Sequence, residues 1–568
     1  MSGAWRWMGT RTGLAAAVAA AGLAGCRSTE AHRRAADGVA VSTVERLWPE
    51  ATGREEPFTI ERPADLLRER LGLEPAEDAS AAPLPEGTTL RLSLEDALRI
   101  GAAHSREYQS RKEDVFRAAL QWDIERDALR GTVSGTLTAT GTEDRTGEET
   151  VRGTEYGAEG RAGWLLRSGA ELSTRIAVDL VQLLTLDRDR ALGLLADASI
   201  TLPLLRGAGR AVVTEPITQA ERNVVYAIQD FDQFRRAYAV RVATEYLGVL
   251  ERAQLIRNAE ENVRRLEAAE RRAEQLAAAG RLPEIQLDQV RQDRLRAEDR
   301  LSSARQAFER QRDGFTLILG VPSALTLELD PAELDRLEAR IGVQLDGAAE
   351  EAPALPDLEG AVALAFEHRL DLRKAEGERE DAQRRVAVAE NALRSNLALE
   401  AGGTAGEARG LGSAGRGDAE LDPGRGRYRL RLRLDLPWRK TRERAAYRNS
   451  LIAAERAERA LVETVDRIRV DVADALRSVR RAEEGYRIQG HAVAIAARRV
   501  ESTEMFIRAG RAQVRDLLDA QEALVSAQNA RVGALVQYRT AWLNLQRELG
   551  VLTVSGEGQW HEYAFDGQ

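Results

Sequence analysis

From Ile507 to Leu524 the chain reads IRAGRAQVRDLLDAQEAL. A related stretch earlier in the chain, from Ala277 to Leu295, reads AAAGRLPEIQLDQVRQDRL. In both copies a run of Ala, Arg, Glu and Leu stops at Ala-Gly-Arg and then resumes, and the two glycines, Gly280 and Gly510, lie 230 positions apart (510 − 280). Glycine takes a positive φ without steric cost, so it ends one helix and lets the chain reverse. Each copy therefore predicts the tip of a helical hairpin.

The flanking sequence extends each tip into two long helical arms. We expect long helices at about 215–279 and 442–509, and return helices at about 283–319 and 513–549. A helix of about 65 residues is roughly 100 Å long at ~1.5 Å per residue, and it must bury its apolar stripe against other helices over most of that length. Because Leu-Gly-Val at 319–321 recurs at 549–551, again 230 positions later (549 − 319), the chain contains an internal duplication.

A second periodicity, of two residues, precedes each long helix. The segment Arg429–Leu436 alternates charged residues with leucine, so a strand here would place Leu430, Leu432 and Leu434 on one face. A face suited to lipid opposite a face suited to water is the pattern of a transmembrane barrel strand. The same alternation could also belong to a soluble sheet.

Other strand-like segments accompany this one. The first repeat has Ala198–Leu205 at the matching place, with upstream partners predicted at 132–140 and 396–403. The strand-like segment 151–178, which includes 170–178, has no counterpart in the second repeat and predicts either an inserted hairpin or a lengthened one, which leaves the number of strands at four or six per chain. The glycine-rich segment 402–417 predicts an exposed loop, and it lacks the GK[ST] ending of a phosphate-binding loop.

The N-terminus has the pattern of an export signal. Arg6 and Arg11 form a basic region before a short apolar stretch, 13–22, which is followed by Leu-Ala-Gly-Cys with Cys26. The stretch is too short to span a bilayer as a helix, which favours a signal peptide over a membrane anchor. The tetrapeptide resembles the bacterial lipobox, which implies that Cys26 is lipidated; an incidental cysteine at the cleavage site is the alternative. Arg27 in place of the Asp often used for inner-membrane retention fits an outer-membrane destination.

Composition argues against several other classes. The formal net charge of −9 is mixed in sign along the chain and gives no support for nucleic-acid binding. With a single cysteine, disulfide and Cys-metal sites are excluded. His104 and His368 occupy matching repeat positions, but neither has a second histidine or a cysteine three or four residues away. No nucleophile, metalloprotease or nucleotide-binding motif is present, so we predict no enzyme activity, no metal and no cofactor.

The chain divides into six segments on this basis. They are a signal peptide (1–25), a lipidated extended segment (26–92), a first repeat (93–322, strands about 132–205, tip near 280), an acidic linker (323–357), a second repeat (358–552, strands about 396–436, tip near 510) and a tail (553–568). The fold class is α+β and mainly α, in which a helix, strands and a long helical hairpin occur twice.

This order resembles the TolC-like outer-membrane efflux protein family over about Leu94 to Leu552. The resemblance rests on the paired tips and on the Leu-Pro pairs that end a predicted strand in each repeat, Leu202-Pro203 and Leu436-Pro437. It implies a homotrimer that shares one transmembrane β-barrel, in contact with outer-membrane lipid, and one periplasmic α-helical barrel. It also implies a passive exit duct for an efflux or type I secretion system, in which the tips dock on a periplasmic adaptor protein coupled to an inner-membrane pump.

The resemblance also assigns roles to residues at the tips. Adaptor docking would fall on the two Ala-Gly-Arg turns, which comprise Ala279, Gly280, Arg281, Ala509, Gly510 and Arg511. The acidic rings at the periplasmic entrance would fall on Asp516 and Asp519, which lie on one helix face because they are three residues apart. Rings of carboxylates select cations. An ordinary solvated helix face is the alternative explanation of these two residues.

This sequence departs from the family pattern in two places. Gln286 stands where the first repeat can carry an Asp, and Arg511 directly follows the tip glycine, whereas some members have the basic residue one place later. A lipoprotein coiled-coil tether without a pore is the alternative function. Such a tether would not need two-faced strands.

Overall fold

The computed structural model describes residues 28–60, 89–145, 150–185, 190–322, 325–345, 355–509 and 511–565. The predicted signal peptide, the predicted lipidation residue Cys26 and the tip glycine Gly510 lie outside these residues. Within them the chain is mostly helical with one large sheet, so the predicted fold class is confirmed.

The helices and strands follow the order expected of a repeated unit. The helices are α1 (Thr29–Thr52), α2 (Leu94–His104), α3 (Arg106–Asp127), α4 (Arg210–Val213), α5 (Glu215–Ala278), α6 (Glu284–Leu319), α7 (Ala332–Leu345), α8 (Leu358–His368), α9 (Leu370–Ala392), α10 (Thr441–Arg508) and α11 (Val514–Glu548). The strands are β1 (Thr89–Leu92), β2 (Thr132–Asp144), β3 (Val151–Leu165), β4 (Glu171–Leu183), β5 (Arg190–Pro203), β6 (Thr326–Leu329), β7 (Asn396–Glu407), β8 (Arg427–Asp435), β9 (Thr553–Val554) and β10 (Trp560–His561).

These elements form two compact units. The strand unit comprises residues 1–50, 115–227 and 376–459, and the hairpin unit comprises 51–114, 228–375 and 460–568. The strand unit contains a six-stranded antiparallel sheet in the order β2-β3-β4-β5-β7-β8. Four strands come from the first repeat and two from the second, because β3 and β4 form the inserted hairpin. The number left open between four and six is therefore six in the described chain.

The strand unit's sheet has two distinct ends. At the helix end, α3 leads into β2, β5 leads into α4, α9 leads into β7 and β8 leads into α10. At the opposite end, called the turn end here, only connections between strands occur, and the longest of them joins β7 to β8. Helices therefore connect to the sheet at one end only, and the connections at the turn end all join one strand to another.

The hairpin unit repeats one local arrangement at positions 230 and 264 residues apart. Each repeat's opening helix breaks, at Ser105 and at Arg369, where ψ is 125° and 122°. Gly320 (φ +72°) and Gly550 (φ +74°) lie against these breaks, and a Cβ on Gly320 would come within 2.3 Å of the His104 carbonyl oxygen. Only glycine combines this close approach with a positive φ. The break is a correction to the sequence analysis, which expected one helix before the strands of each repeat, whereas the structure has two.

The N-terminal segment also differs from the prediction. Residues 26–92 were expected to be extended with short helical pieces, but Thr29–Thr52 forms one helix of 24 residues. Its buried side chains, Ala40, Val44, Leu47, Trp48 and Ala51, recur at helical spacing only in the second half of the helix. Because Pro49 falls inside this short stripe and the first half has none, the sequence shows no sustained period.

Candidate functional site

One face of the six-stranded sheet is apolar. The register places Leu430, Leu432 and Leu434 opposite Ala401, Leu399 and Leu397 of β7. The row that contains Leu430 continues through three further strands as Ile200, Leu172 and Trp164. Leu430, Leu432 and Leu434 are 76%, 65% and 55% exposed, so no described part of the chain covers this band of large apolar side chains. The structure thus places the three predicted leucines on one exposed apolar face.

The opposite face is polar. One complete row across all six strands consists of Ser134, Arg161, Arg175, Asp197, Thr404 and Arg427. Opposite charges pair across neighbouring strands, with 2.6 Å between Arg175 Nε and Asp197 Oδ2 and 3.2 Å between Arg433 Nε and Glu400 Oε1. Such cross-strand pairs stabilise a face that contacts water. The alternation recognised in β8 alone therefore extends over the whole sheet.

Aromatic side chains lie at both ends of the apolar face. Trp164 is near the helix end, and Trp438 follows β8 there with 99% of its surface exposed. Tyr156 and Tyr428 lie toward the turn end and are 50% and 67% exposed. Amphipathic rings at this position favour a membrane–water interface. The sequence analysis missed these four residues, although their places at strand ends were a signal that could have found them.

The segment that joins β7 to β8, residues 408–426, is called the turn-end loop. The glycine-rich segment 402–417 was expected to be an exposed loop, but residues 402–407 belong to β7 and the next ten fold onto the sheet. Arg409 and Ala414 are 9% and 2% exposed. Ala414 packs in a small apolar cluster with Val181 and Ala191, whose side chains belong to the polar face. Among the described residues, the loop therefore covers part of the polar face, and none covers the exposed leucines of the apolar face.

Both predicted tips of the hairpin unit are tight turns with the same hydrogen bonding. Arg281 N donates to Leu276 O (2.8 Å) and Arg511 N donates to Phe506 O (2.8 Å), a bond that satisfies the last carbonyls of the preceding helix. Gly280 has φ +68°. Ala279, Gly280, Arg281, Ala509 and Arg511 are all exposed. The structure therefore leaves the described tip residues accessible to a partner.

Asp516 and Asp519 both lie on the exposed side of α11. The backbone N–H of Gln513 donates to Asp516 Oδ2 (2.9 Å), so this carboxylate caps the helix N-terminus. Asp519 Oδ2 is 4.0 Å from Arg515 Nε. The sequence analysis missed the capping role of Asp516. The matching position Gln286 provides no side-chain cap to α6.

The opposite side of α11 is buried in the hairpin unit. Leu518 packs with Val263, Leu266, Leu287 and Val290 in one apolar cluster. This contact fixes the rotation of α11, and it is the reason that Asp516 and Asp519 face outward.

Large apolar side chains next to the tips are exposed. Ile285 is 71% exposed beside the first tip, and Met505 and Phe506 are 55% and 53% exposed beside the second. Exposed apolar clusters with a polar rim mark protein interaction sites. The sequence offered a signal that was not used, since two of these residues belong to types that are rare in this chain, with three Met and nine Phe.

A buried charge cluster lies in the hairpin unit. The side chain of Asp232 has no exposed surface, and it contacts Arg236 Nη2 at 2.7 Å and Arg54 Nη2 at 3.0 Å. Arg235, which is 1% exposed, pairs with Asp232 and with both carboxylate oxygens of Glu56. Burial alone would raise the pKa of Asp232, but the guanidinium groups of Arg235, Arg236 and Arg54 together hold it below the usual aspartate value. The network ties residues 54–56 to α5.

Two kinds of feature are absent from the described residues. These residues contain no group of three or more His, Cys, Asp or Glu side chains arranged to hold a metal ion. In the same part of the chain, no helix is both long enough and apolar enough to cross a membrane.

Comparison with known proteins bears on this architecture. Residues 361–551 match the model of the outer membrane efflux protein family. The resemblance to the outer-membrane efflux protein family is confirmed. The match covers the second repeat from α8 to the end of α11, and so includes β7, β8 and the second tip. This family is one of outer-membrane channels. No curated protein sequence matches the chain.

Solved channels share the fold. A crystal structure of CusC, whose description concerns folding and transmembrane channel formation, aligns with a TM-score of 0.58 at 13% identity and covers 84% of this chain and 99% of its own. VceC of Vibrio cholerae, an outer-membrane protein, aligns with a TM-score of 0.57 at 14% identity, and the alignment covers 80% of this chain and 96% of VceC. The open MtrE outer-membrane channel of Neisseria gonorrhoeae aligns with a TM-score of 0.56 at 14% identity, and the alignment covers 83% of this chain and 96% of MtrE.

Proposed function

We propose that three copies of this chain form an outer-membrane exit duct. The duct conducts substrates passively from a periplasmic adaptor and an inner-membrane pump to the exterior, and it catalyses no reaction. The observation that carries the proposal is the two-faced sheet, whose apolar face is exposed and whose polar face is paired and partly covered. A sheet in a water-soluble protein would bury its apolar face instead. A tether without a pore would not require such a sheet.

The edges of the sheet support closure with further copies. In the described chain β2 and β8 each pair on one side only, which leaves two rows of backbone donors and acceptors unpaired. Lipid offers such groups no partner, so only a closed barrel is stable there. Three copies of six strands give eighteen (3 × 6). A barrel of that size is roughly 36 Å across between opposite backbones, from a ~4.8 Å strand spacing and a ~40° tilt.

The aromatic side chains fit the thickness of a bilayer. Tyr428 and Trp438 are ten residues apart, and β8 ends between them at Asp435, so the chain between them spans at most roughly 33 Å. Tilted by about 40°, this length gives a band at most roughly 25 Å high, comparable to the height of the lipid-facing band in outer-membrane barrels.

The proposal is tested on protein extracted from membranes in detergent. We expect it to be trimeric and to conduct ions after insertion in planar lipid bilayers. A monomer that stays dispersed without detergent and does not conduct would contradict the proposal. An outer-membrane location with a lipid on Cys26 is part of it, and intact mass spectrometry of the mature chain would detect the added acyl chains.

The hairpin tips are the proposed contact with the adaptor. The described residues of the two Ala-Gly-Arg turns are exposed, and Ile285, Met505 and Phe506 add exposed apolar surface beside them. In a trimer, Asp516 and Asp519 would each form a ring of three carboxylates at the periplasmic entrance. Acidic rings of this kind attract and bind cations.

Neutralising these carboxylates is expected to weaken cation block. In the variant Asp516→Asn with Asp519→Asn, the amide oxygen at position 516 can still accept the Gln513 N–H bond, so the cap is kept while the charge is lost. Block of the conductance by a trivalent cation added on the tip side should need about tenfold more cation, because the negative charges that bind the cation are lost. A tenfold change corresponds to about 1.4 kcal/mol of binding free energy. Glu522→Gln, on the same helix but paired with Arg300, is the control. An unchanged block would exclude Asp516 and Asp519 from the entrance.

A further inference from the structure

We propose that the turn-end loop of each copy narrows the outer opening of the barrel, so that the exit has its own size limit. This inference rests on the proposed function, because it takes the polar face of the sheet as the wall of the lumen. The first observation is the side on which the loop lies. Residues 409–414 of the loop contact residues of the polar face, so in a closed barrel this part of the loop would lie inside.

Apolar contacts hold the loop against this wall. Leu411 and Ala414 pack over Val181, Leu183 and Ala191, which are 0–6% exposed. These three residues interrupt the polar face near the turn end, where the register alternates them with outward-facing residues of β4 and β5. Without the loop they would be apolar side chains in a water-filled lumen. The apolar residues of the loop therefore cover the apolar residues of the wall, and the loop packs against the sheet.

Hydrogen bonds tie the loop to two strands. The backbone N–H of Leu411 donates to Glu155 Oε1 of β3 (2.8 Å), and the backbone N–H of Leu192 in β5 donates to Asp418 Oδ1 (2.8 Å). Ala419 N donates to Leu192 O (2.6 Å), so the returning loop continues the pairing of β5 beyond the last residue that β7 pairs with. These bonds fix the loop at Leu411 and at Asp418–Ala419, on either side of residues 412–417.

Two glycines in the wall provide the space that the loop occupies. A Cβ on Gly193 would come within 2.5 Å of Arg409 N, and a Cβ on Gly153 would come within 2.1 Å of Leu411 Cδ2. Neither glycine has a positive φ, so their backbone conformation does not require glycine. Close approach of the loop is the reason for glycine at both places.

Arg409 stabilises the loop from within. Its side chain is 7% exposed, and it donates from Nε to Gly417 O (2.9 Å) and pairs through Nη1 with Glu407 at 2.5 Å. The crest of the loop, with Gly412 and Arg416, is exposed on the side away from the wall. A barrel of eighteen strands leaves an aqueous channel. Three such loops would each project roughly 5 Å into it, half the ~10 Å spacing of packed layers.

The test measures the exit separately from the entrance. Poly(ethylene glycol) molecules of increasing size are added only on the barrel side of trimers in a planar bilayer, and the largest size that lowers the conductance is recorded. In Ala414→Glu a charged side chain replaces one that is 2% exposed over Val181, so the loop should leave the wall. We expect its cut-off radius to rise by roughly 5 Å, the thickness of one loop layer.

Gly412→Glu is the matched control. It adds the same side chain two residues earlier, where a Cβ would meet nothing within 4 Å, so the loop should stay in place and the cut-off should not rise. A shorter loop that lacks Leu411–Arg416 serves as a second variant if Ala414→Glu does not assemble. An unchanged cut-off in the opened or shortened loop, or an equal rise in Gly412→Glu, would overturn the inference. A wild-type trimer that does not conduct would instead contradict the proposed function.

Discussion

Replacing Asp232 by alanine is expected to lower the free energy of unfolding by about 3–5 kcal/mol, because it leaves buried guanidinium groups without their counter-charge. Asp232 has no exposed surface, and it contacts Arg54, Arg235 and Arg236. Removal of one partner from a buried pair costs more than the pair contributes, since the remaining charges stay desolvated. Denaturant unfolding of detergent-solubilised protein, followed by helical circular dichroism, measures the change.

Asp230 provides a matched control for this prediction. It lies two residues earlier on α5, but its carboxylate is 54% exposed and pairs with Lys374 at 2.8 Å. Asp230→Ala should cost no more than about 1 kcal/mol, as for other exposed pairs. Equal losses in the two variants would show that the buried cluster has no special energetic role.

The pH dependence of this effect has a defined sign. The pKa of Asp232 is held below the ordinary aspartate value of about 3.9, so its contribution to stability is complete above that pH and is lost as pH falls through the lower folded-state pKa. The difference between wild type and Asp232→Ala should therefore shrink below about pH 3.9. A difference that stays constant down to pH 2 would contradict the assigned charge state.

The second large effect is expected from a charge on the apolar face of the sheet. Leu137 lies near the middle of β2 on this face, in one row with Ala158, Val178 and Leu194. Lysine at a lipid-facing position near the bilayer midplane costs about 2–4 kcal/mol. Leu137→Lys should lower the free energy of folding into lipid vesicles by that amount, measured by urea titration.

Thr136→Lys separates lipid contact from simple exposure. Thr136 precedes Leu137 on β2, and both side chains are exposed, but Thr136 faces the polar side. Lysine there should change stability little, because the side chain would extend into the aqueous lumen. Similar losses in the two variants would mean that the two faces meet the same surroundings, as in a soluble sheet.

Much of the architecture could be predicted because it is encoded in local periodicity. The tip at Gly280 is marked by one glycine between two helical runs, and the observed long helices, Glu215–Ala278 and Thr441–Arg508, begin and end within about a residue of the expected positions. The leucine alternation of β8 is equally local. It predicted one face of β8, and the register then extends that face to the other five strands of the sheet.

The features that could not be predicted depend on contacts between distant parts of the chain. The turn-end loop is held by β3, β4 and β5, which lie more than 200 residues earlier, and its glycine-rich sequence resembles that of an exposed loop. Asp232 is one of many acidic residues on a helix, and only its burial beside Arg54 distinguishes it. The capping role of Asp516 needs the exact start of α11, which periodicity defines only to within a few residues.

The central claim is that lipid contacts one face of this sheet and water the other. Nitroxide labels placed one at a time from Arg429 to Leu434, in a background with Cys26 replaced, measure it most directly after reconstitution in liposomes. We expect labels at 430, 432 and 434 to collide mainly with oxygen, which concentrates in lipid, and labels at 429, 431 and 433 mainly with a water-soluble nickel complex. Equal access of the nickel complex to all six positions would contradict the claim.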